Sequence, residues 1–466
     1  MADGVLPVVL FVAAAAWNLW FAAGASAQGV LTGEEASVDH RDPLALSLHW
    51  QPSIWSTNAG SQLFYLVAGH LTPDYGLLYA RPVKAAAMAL LPVLLYLAAR
   101  RRLGCRPVTA AMGAALAVVL PGVTSVAWVG TENGLEAVWG VAALLVATSR
   151  RRVWPVAPVL AAISVANYTA GLAWAAVTVL VCLWRIRSLR DAALVVAGSA
   201  LGGALVLAPL RWWHNGAVIV TGGGHAGADL HDWRARLLDI GHLLVDDGGS
   251  YYWFSSAPML ASRVTAAALA VAAAVALVRR FSRVWPWFAV SLAAAGLYVV
   301  SSGVPGSRRI VAIAVVAGLL TAPAVDELID LVRPAHRFPG PAVIMVRALV
   351  VVAAIVAVAG PGLSDGVQNR SELASGTRPL PIDWPFPVDR GGTQASTFGR
   401  LDAALRSGAM SPTQVGDGWG GTRTLAVLVA LSERNGRTPP LPPSALLAYY
   451  RTTDDCRELD GPAVCR

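Results

Sequence analysis

The chain has 466 residues, 56% of them hydrophobic and only 14% charged, with a mean hydropathy of +0.56 and a formal net charge of +8. Soluble proteins carry about 25% charged residues, so an ordinary soluble enzyme, a coiled coil and a disordered chain are excluded. On a soluble chain the cation excess would suggest nucleic acid; here the cations punctuate apolar runs, and no nucleic-acid partner is expected.

Apolar stretches at 5–25, 83–99, 108–129, 133–148, 153–167, 170–184, 191–210, 264–278, 286–303, 309–325 and 341–360 predict an all-α polytopic membrane protein with about 11 transmembrane helices. The first run ends in Ala25, Ser26 and Ala27, which resembles a signal-peptidase site. The run is longer than a signal core and no Lys or Arg precedes it, so it reads as a retained helix. The stretches 153–167 and 170–184 are short enough to be one helix or two, and charge decides between them. With a turn at Tyr168 and Thr169, Arg100, Arg101, Arg102, Arg106, Arg150, Arg151, Arg152, Arg185, Arg187, Arg190, Arg279, Arg280, Arg283, Arg333, Arg337 and Arg347 all fall on one side. The positive-inside rule makes that side cytoplasmic, in the cell (plasma) membrane, with the N-terminus inside and the tail after Gly360 outside. The expected organisation is a membrane module, 1–360, with outer segments 26–82 and 211–263, followed by a small extracytoplasmic domain, 361–466. Inner loops are short, so chemistry is expected on the outer face.

The first outer segment places Glu34, Glu35, Asp39 and Asp42 just beyond the first span. It is either a solvated acidic loop or, given the apolar 44–48 and the aromatic 49–55 that follow, a set of carboxylates held at the bilayer surface. Arg81 and Lys84, the only lysine of the chain, open the second span; each reads as a snorkelling anchor or as an anion ligand. Glu132 and Glu136 flank a tight outer turn, and Glu136 falls at the edge of the fourth span, where a carboxylate needs a partner. A structural ion pair and a catalytic role are both open for it. Trp212 and Trp213 leave the seventh span at the interface, where tryptophan anchors membranes and can also stack on a sugar. Arg308 and Arg309 open the tenth span, against both the charge rule and the helix dipole; a bound anion would remove that conflict.

The histidines show no metal-binding spacing, and no metal site is assigned. Cys456 and Cys465 both lie in the outer tail and are expected to form a disulfide, two free thiols being the alternative. Short amphipathic helices are expected at 397–406, 423–434 and 445–450, in a tail that either positions the acceptor or caps the site.

The acidic loop after the first span, the interfacial 58–65 before Tyr79, Ala80 and Arg81, the aromatic exit of the seventh span and the arginine pair of a late one together resemble GT-C fold glycosyltransferases. The likeness is to those that use polyprenyl-phosphate sugars, such as protein O-mannosyltransferases and aminoarabinose transferases, and it covers roughly 1–325. The resemblance implies an inverting transferase whose donor is a polyprenyl-phosphate-linked sugar and whose acceptor is an extracytoplasmic glycan, lipid or protein; it leaves a divalent-metal requirement open. It implies Asp39 as general base with Asp42 second, and Arg308, Arg309, Arg81 and Lys84 around the donor phosphate. Glu35, Glu132, Glu136, Trp212 and Trp213 would support them. A transporter or lipid flippase would instead show inverted repeats and midplane polar residues, and a non-catalytic envelope-assembly scaffold would leave the outer carboxylates without a cleft.

Overall fold

The computed structural model describes residues 2–27, 80–149, 153–214, 233–246, 258–300, 307–331 and 359–371, with isolated positions at 64, 67–68, 71, 345, 349 and 356 and two short strands near the C-terminus. The first helix, α1 (Ala2–Ala27), runs antiparallel to the second span. Asp3 at its start pairs with Arg100 at 2.9 Å, and Asn18 further along donates to the Ala85 carbonyl at 3.1 Å. That second span is α2 (Ala80–Met88) and α3 (Leu90–Ala98), continued by a π turn, Ala99–Leu103. Pro92 has no N–H to offer the carbonyl four residues back, and the helix is interrupted there, at Ala89. Gly104 closes the π turn at φ +74°, a backbone state that glycine adopts without strain.

Where one span is expected at 108–129, the chain forms two helices, α4 (Pro107–Val119) and α5 (Pro121–Trp128), bent by 67°. The residue before a proline is pushed out of the helical region, and Leu120 accordingly takes φ −64°, ψ 133°. Next come α6 (Leu135–Ala147), α7 (Ala157–Asn167) and α8 (Gly171–Arg185). The chain breaks at Tyr168, extended at φ −157°, ψ 146°, so 153–167 and 170–184 are separate helices that pack together.

Further along, α9 (Leu189–His214) is continuous, and α10 (Trp233–Val245) lies in the second outer segment. The expected eighth and ninth spans are joined without a loop as α11 (Arg263–Val300), kinked at the single non-helical residue Arg280 (φ −134°, ψ 35°). A 3-10 turn, Ser307–Ile310, leads into α12 (Val311–Leu331). By length and composition, Asp3–Gly24, Ala80–Leu103, Arg263–Val300 and Val311–Leu331 can each cross a membrane, and the bent pair Pro107–Val119 with Pro121–Trp128 adds a fifth. Leu135–Ala147, Trp154–Asn167 and Gly171–Arg185 are shorter apolar helices. The described residues thus give several apolar helices rather than a count of eleven, and most of 341–360 lies outside them.

The core is centred on α12, which packs against α11 and α4. Its approach to α4 is made by small residues: a Cβ on Gly113 would meet the Ala322 Cβ at 2.8 Å, and one on Gly318 would meet the Ala117 Cα at 2.5 Å. Such close backbones are how membrane helices gain dispersion contact.

Charge is segregated along the bundle. At one end Arg106 pairs with Asp330 at 2.5 Å, Arg280 with Glu327 at 2.6 Å and with Asp326 at 3.5 Å, and Arg279 with Glu327 at 3.3 Å. Arg100, paired with Asp3, lies at the same end through its donation to the Cys105 carbonyl. Arg102 and Arg185 cap the carbonyls of Leu145 and Ala147 at the end of α6. In the tail, 359–371 is helical, and β1 (Cys456–Arg457) pairs antiparallel with β2 (Val464–Cys465), Cys456 opposite Cys465. The short helices expected at 397–406, 423–434 and 445–450 lie outside the described residues.

Candidate functional site

The opposite end of the bundle buries a second and larger set of charged residues. The start of α2 carries Arg81 and Lys84, 1% and 0% exposed, into the turn between α5 and α6, where Thr131, Glu132, Asn133 and Glu136 are also buried. Lys84 Nζ donates to the Thr131 carbonyl at 2.8 Å and to the Asn133 carbonyl. Glu136 and then Glu132 are the carboxylates that act on its charge. The Arg81 guanidinium lies over the Trp128 ring, 5.1 Å from its centroid. Placing charge in a low-dielectric interior costs several kcal/mol per ion unless opposite charge and hydrogen bonds meet it; two cations and two carboxylates meet that condition together.

The turn itself is locally built. Gly134 takes φ +94°, open to glycine, and starts α6. The Glu136 carboxylate accepts the Gly134 N–H at 2.6 Å, satisfying a donor at the helix N-terminus, where negative charge is also favoured by the dipole. The Glu136 backbone carbonyl accepts Ser164 Oγ at 2.7 Å, which ties the turn to α7.

A second polar group forms around α10. Ile240 and Leu243 of that helix are buried, and α10 packs on α11. Tyr298, buried near the end of α11, donates its hydroxyl to Asp239, with the charges of Arg236 and Arg309 close by. Arg309 belongs to the turn Ser307–Ile310, which touches α5 as well as α11. The same α5 ends in Trp128 beneath Arg81. Gly122, near its start, donates to the Met259 carbonyl at 3.0 Å, and Met259 in turn donates to the Leu243 carbonyl of α10 at 3.0 Å. Thus α5 is the hub that joins the buried quartet, the Arg309 turn and α10.

Of the residues expected from sequence, Arg81, Lys84, Glu132 and Glu136 come together, and Arg309 lies on the element next to them. Asp39, Asp42, Glu34 and Glu35 lie outside the described residues. Arg308 is placed by its backbone in the Ser307–Ile310 turn, and Trp212 and Trp213 by theirs in the last turn of α9; the side chains of these three are outside the described set. Among the described residues no three His, Cys, Asp or Glu side chains gather as a metal site would require.

No protein-family model matches the sequence, and no curated protein matches it. Solved structures do match. ArnT from Cupriavidus metallidurans in the apo state aligns with a TM-score of 0.53 at 16% identity, over 98% of this chain and 97% of that one. The oligosaccharyltransferase of Archaeoglobus fulgidus in the apo form aligns with a TM-score of 0.47 at 14% identity, over 86% of this chain and 58% of that one, so this chain spans less than two thirds of that protein. Both are GT-C fold glycosyltransferases.

This chain has the GT-C fold.

At such identity the likeness is one of fold, and within the GT-C fold the residue chemistry is this chain's own. Two of its polar residues, Asp239 and Tyr298, carried no signal in the sequence: they are 59 positions apart and meet only because α10 folds back on α11.

Proposed function

We propose that this protein is a membrane glycosyltransferase that takes a sugar from a polyprenyl-phosphate donor and passes it, with inversion, to an extracytoplasmic acceptor. The observation that carries the reading is the GT-C fold, shared with ArnT along nearly the whole of both chains. The segment bearing Asp39 and Asp42 leaves α1 and returns at α2, so its two anchors are elements that lie side by side through Asn18 and Ala85, next to the buried quartet. Asp39, with Asp42 as second candidate, takes the proton of the acceptor hydroxyl as that oxygen bonds to the anomeric carbon. The bond from that carbon to the phosphate oxygen breaks, and its electron pair leaves with polyprenyl phosphate. Arg308 and Arg309 stabilise the charge that grows there, while Trp212 and Trp213 offer faces on which a sugar stacks. The arginine-rich end faces the cytoplasm, and the 361–466 tail lies outside, its Cys456 and Cys465 joined.

The test is transfer from a panel of polyprenyl-phosphate-linked sugars by the purified full chain, followed as release of polyprenyl phosphate. Loss of a general base lowers turnover by roughly 10²–10⁴-fold, and Asp39→Asn is expected in that range. Undiminished transfer by both Asp39→Asn and Asp42→Asn would remove the base assignment; no release from any donor would remove the reading.

A further inference from the structure

Lys84 is the one lysine among 36 basic residues. A chain that uses arginine everywhere else has no need of lysine to hold a phosphate, because the guanidinium fork is the better anion ligand. What arginine does poorly is converge as a compact point on two backbone carbonyls in a closed space. That is the task at 84: the residue is fully buried, and its ammonium gives two of its three N–H groups to Thr131 and Asn133 across sequence separations of 47 and 49. Glu136 and Glu132 are the charges set against it. An anion brought to this ammonium would meet two carboxylates and would have to displace the carbonyls that shape the turn.

We propose that Lys84 is a positioning residue: it locks the turn between α5 and α6, and with it Glu132 and the start of α6, and it does not touch the donor phosphate. The phosphate falls instead to the arginines of the Ser307–Ile310 turn, a half of the inference that rests on the proposed transferase reading.

Two readouts on the detergent-purified full chain separate the roles: the unfolding midpoint Tm, and the Kd for polyprenyl phosphate. Lys84→Met leaves buried carboxylate uncompensated and lowers Tm by about 5 °C. Lys84→Met combined with Glu136→Gln recovers more than half of that loss, because the two sites are energetically coupled. In the recovered double variant the Kd stays within about 3-fold of wild type, whereas Arg309→Met weakens it ~10-fold or more, the scale of one lost charge-assisted contact. Lys84→Arg, which keeps the charge and adds bulk, lowers Tm and does not rescue. Lys84→Gln keeps a donor for the carbonyls and folds even where Lys84→Met does not; in the transfer assay it lowers kcat while leaving the donor KM unchanged.

A double variant that regains Tm but binds polyprenyl phosphate ~10-fold more weakly would overturn the proposal, and so would a Lys84→Arg protein equal to wild type in both readouts. If the wild type binds no polyprenyl phosphate, the transferase reading fails, and the Tm cycle still judges the positioning role. Strictly additive Tm changes in that cycle overturn it.

Discussion

Gly318→Ala measures how closely α12 is seated on α4. A Cβ at Gly318 would lie 2.5 Å from the Ala117 Cα, 2.6 Å from its Cβ and 2.7 Å from its nitrogen, whereas ordinary contact begins at 3.4 Å. The obstacle is largely backbone and cannot swing aside, so the two helices must part by about 1 Å, which forfeits roughly a quarter to a half of each dispersion contact across the interface. Overpacking of this kind costs about 1–3 kcal/mol. Alanine regains about 0.8–1 kcal/mol over glycine in helix propensity, so the expected net loss is about 1 kcal/mol. Gly296 in α11 is the matched control, because nothing lies within 4 Å of a Cβ built there. Gly296→Ala should keep the whole propensity gain. Thermal unfolding in detergent, followed by tryptophan fluorescence, should therefore move Tm down for Gly318→Ala and up for Gly296→Ala. A Gly318→Ala protein as stable as wild type would mean that α12 and α4 do not meet through this face.

Two further outcomes are expected. Asp326 has a 4% exposed side chain and accepts Thr109 Oγ1 at 2.7 Å and the Arg106 N–H at 3.1 Å beside Arg280, so Asp326→Asn should cost about 3–5 kcal/mol. Asp330, 33% exposed and paired with Arg106, should cost less than about 1 kcal/mol and lose even that in high salt; unfolding with and without salt compares them, and equal losses would refute the distinction. For the tail, directly opposed residues of an antiparallel pair have Cα atoms about 4.5–5.5 Å apart, within the disulfide range. Alkylation of unreduced native protein should leave Cys456 and Cys465 unlabelled, with Cys105 and Cys182 protected by burial until unfolding; labelling of both tail cysteines before reduction would exclude the bond.

Much of the fold was legible because its signals are local. The break at Tyr168 follows from charge placement, since only a turn there puts the arginine clusters on one side, and the contacts of Arg102, Arg106, Arg185 and Arg280 gather at one end of the bundle. The bend between α4 and α5 was also written locally, in Pro121, yet a hydropathy window averages across it and reports one span. The kink at Arg280 was hidden for the opposite reason. Arg279, Arg280 and Arg283 read as an inner loop, and the pairing of Arg279 and Arg280 with Glu327, 48 and 47 residues away, and of Arg280 with Asp326 meets their charge where the two helical segments join at the kink. Glu136 was legible as a carboxylate in need of a partner. Which charge would be set against it was not legible, because the Lys84 ammonium comes into its electrostatic range only after α2 packs beside the turn.

The two ends of the bundle use charge for different purposes, and burial tells them apart. At the arginine-rich end the pairs of Arg280 with Asp326 and Glu327 are largely withdrawn from solvent, but the side chains of Arg100, Arg106 and Arg279 around them are 36%, 41% and 54% exposed. Exposed pairs cost little to form and fix little, being worth about 0–1 kcal/mol; they serve as topology marks and surface pins. At the other end Arg81, Lys84, Glu132 and Glu136 are withdrawn from solvent almost completely. Replacing such a cluster by apolar residues of similar volume would be neutral or stabilising in many proteins, so stability alone does not account for keeping it. Its geometry does: one ammonium on two carbonyls, one carboxylate on the first N–H of a helix, and one guanidinium on the ring that ends α5 fix the turn in three directions. Because the Arg309 turn and the start of α2 lean on that same α5, a rigid turn there holds cations and carboxylates of separate helices in register. That is the preorganisation that the proposed transfer requires of the residues around its donor.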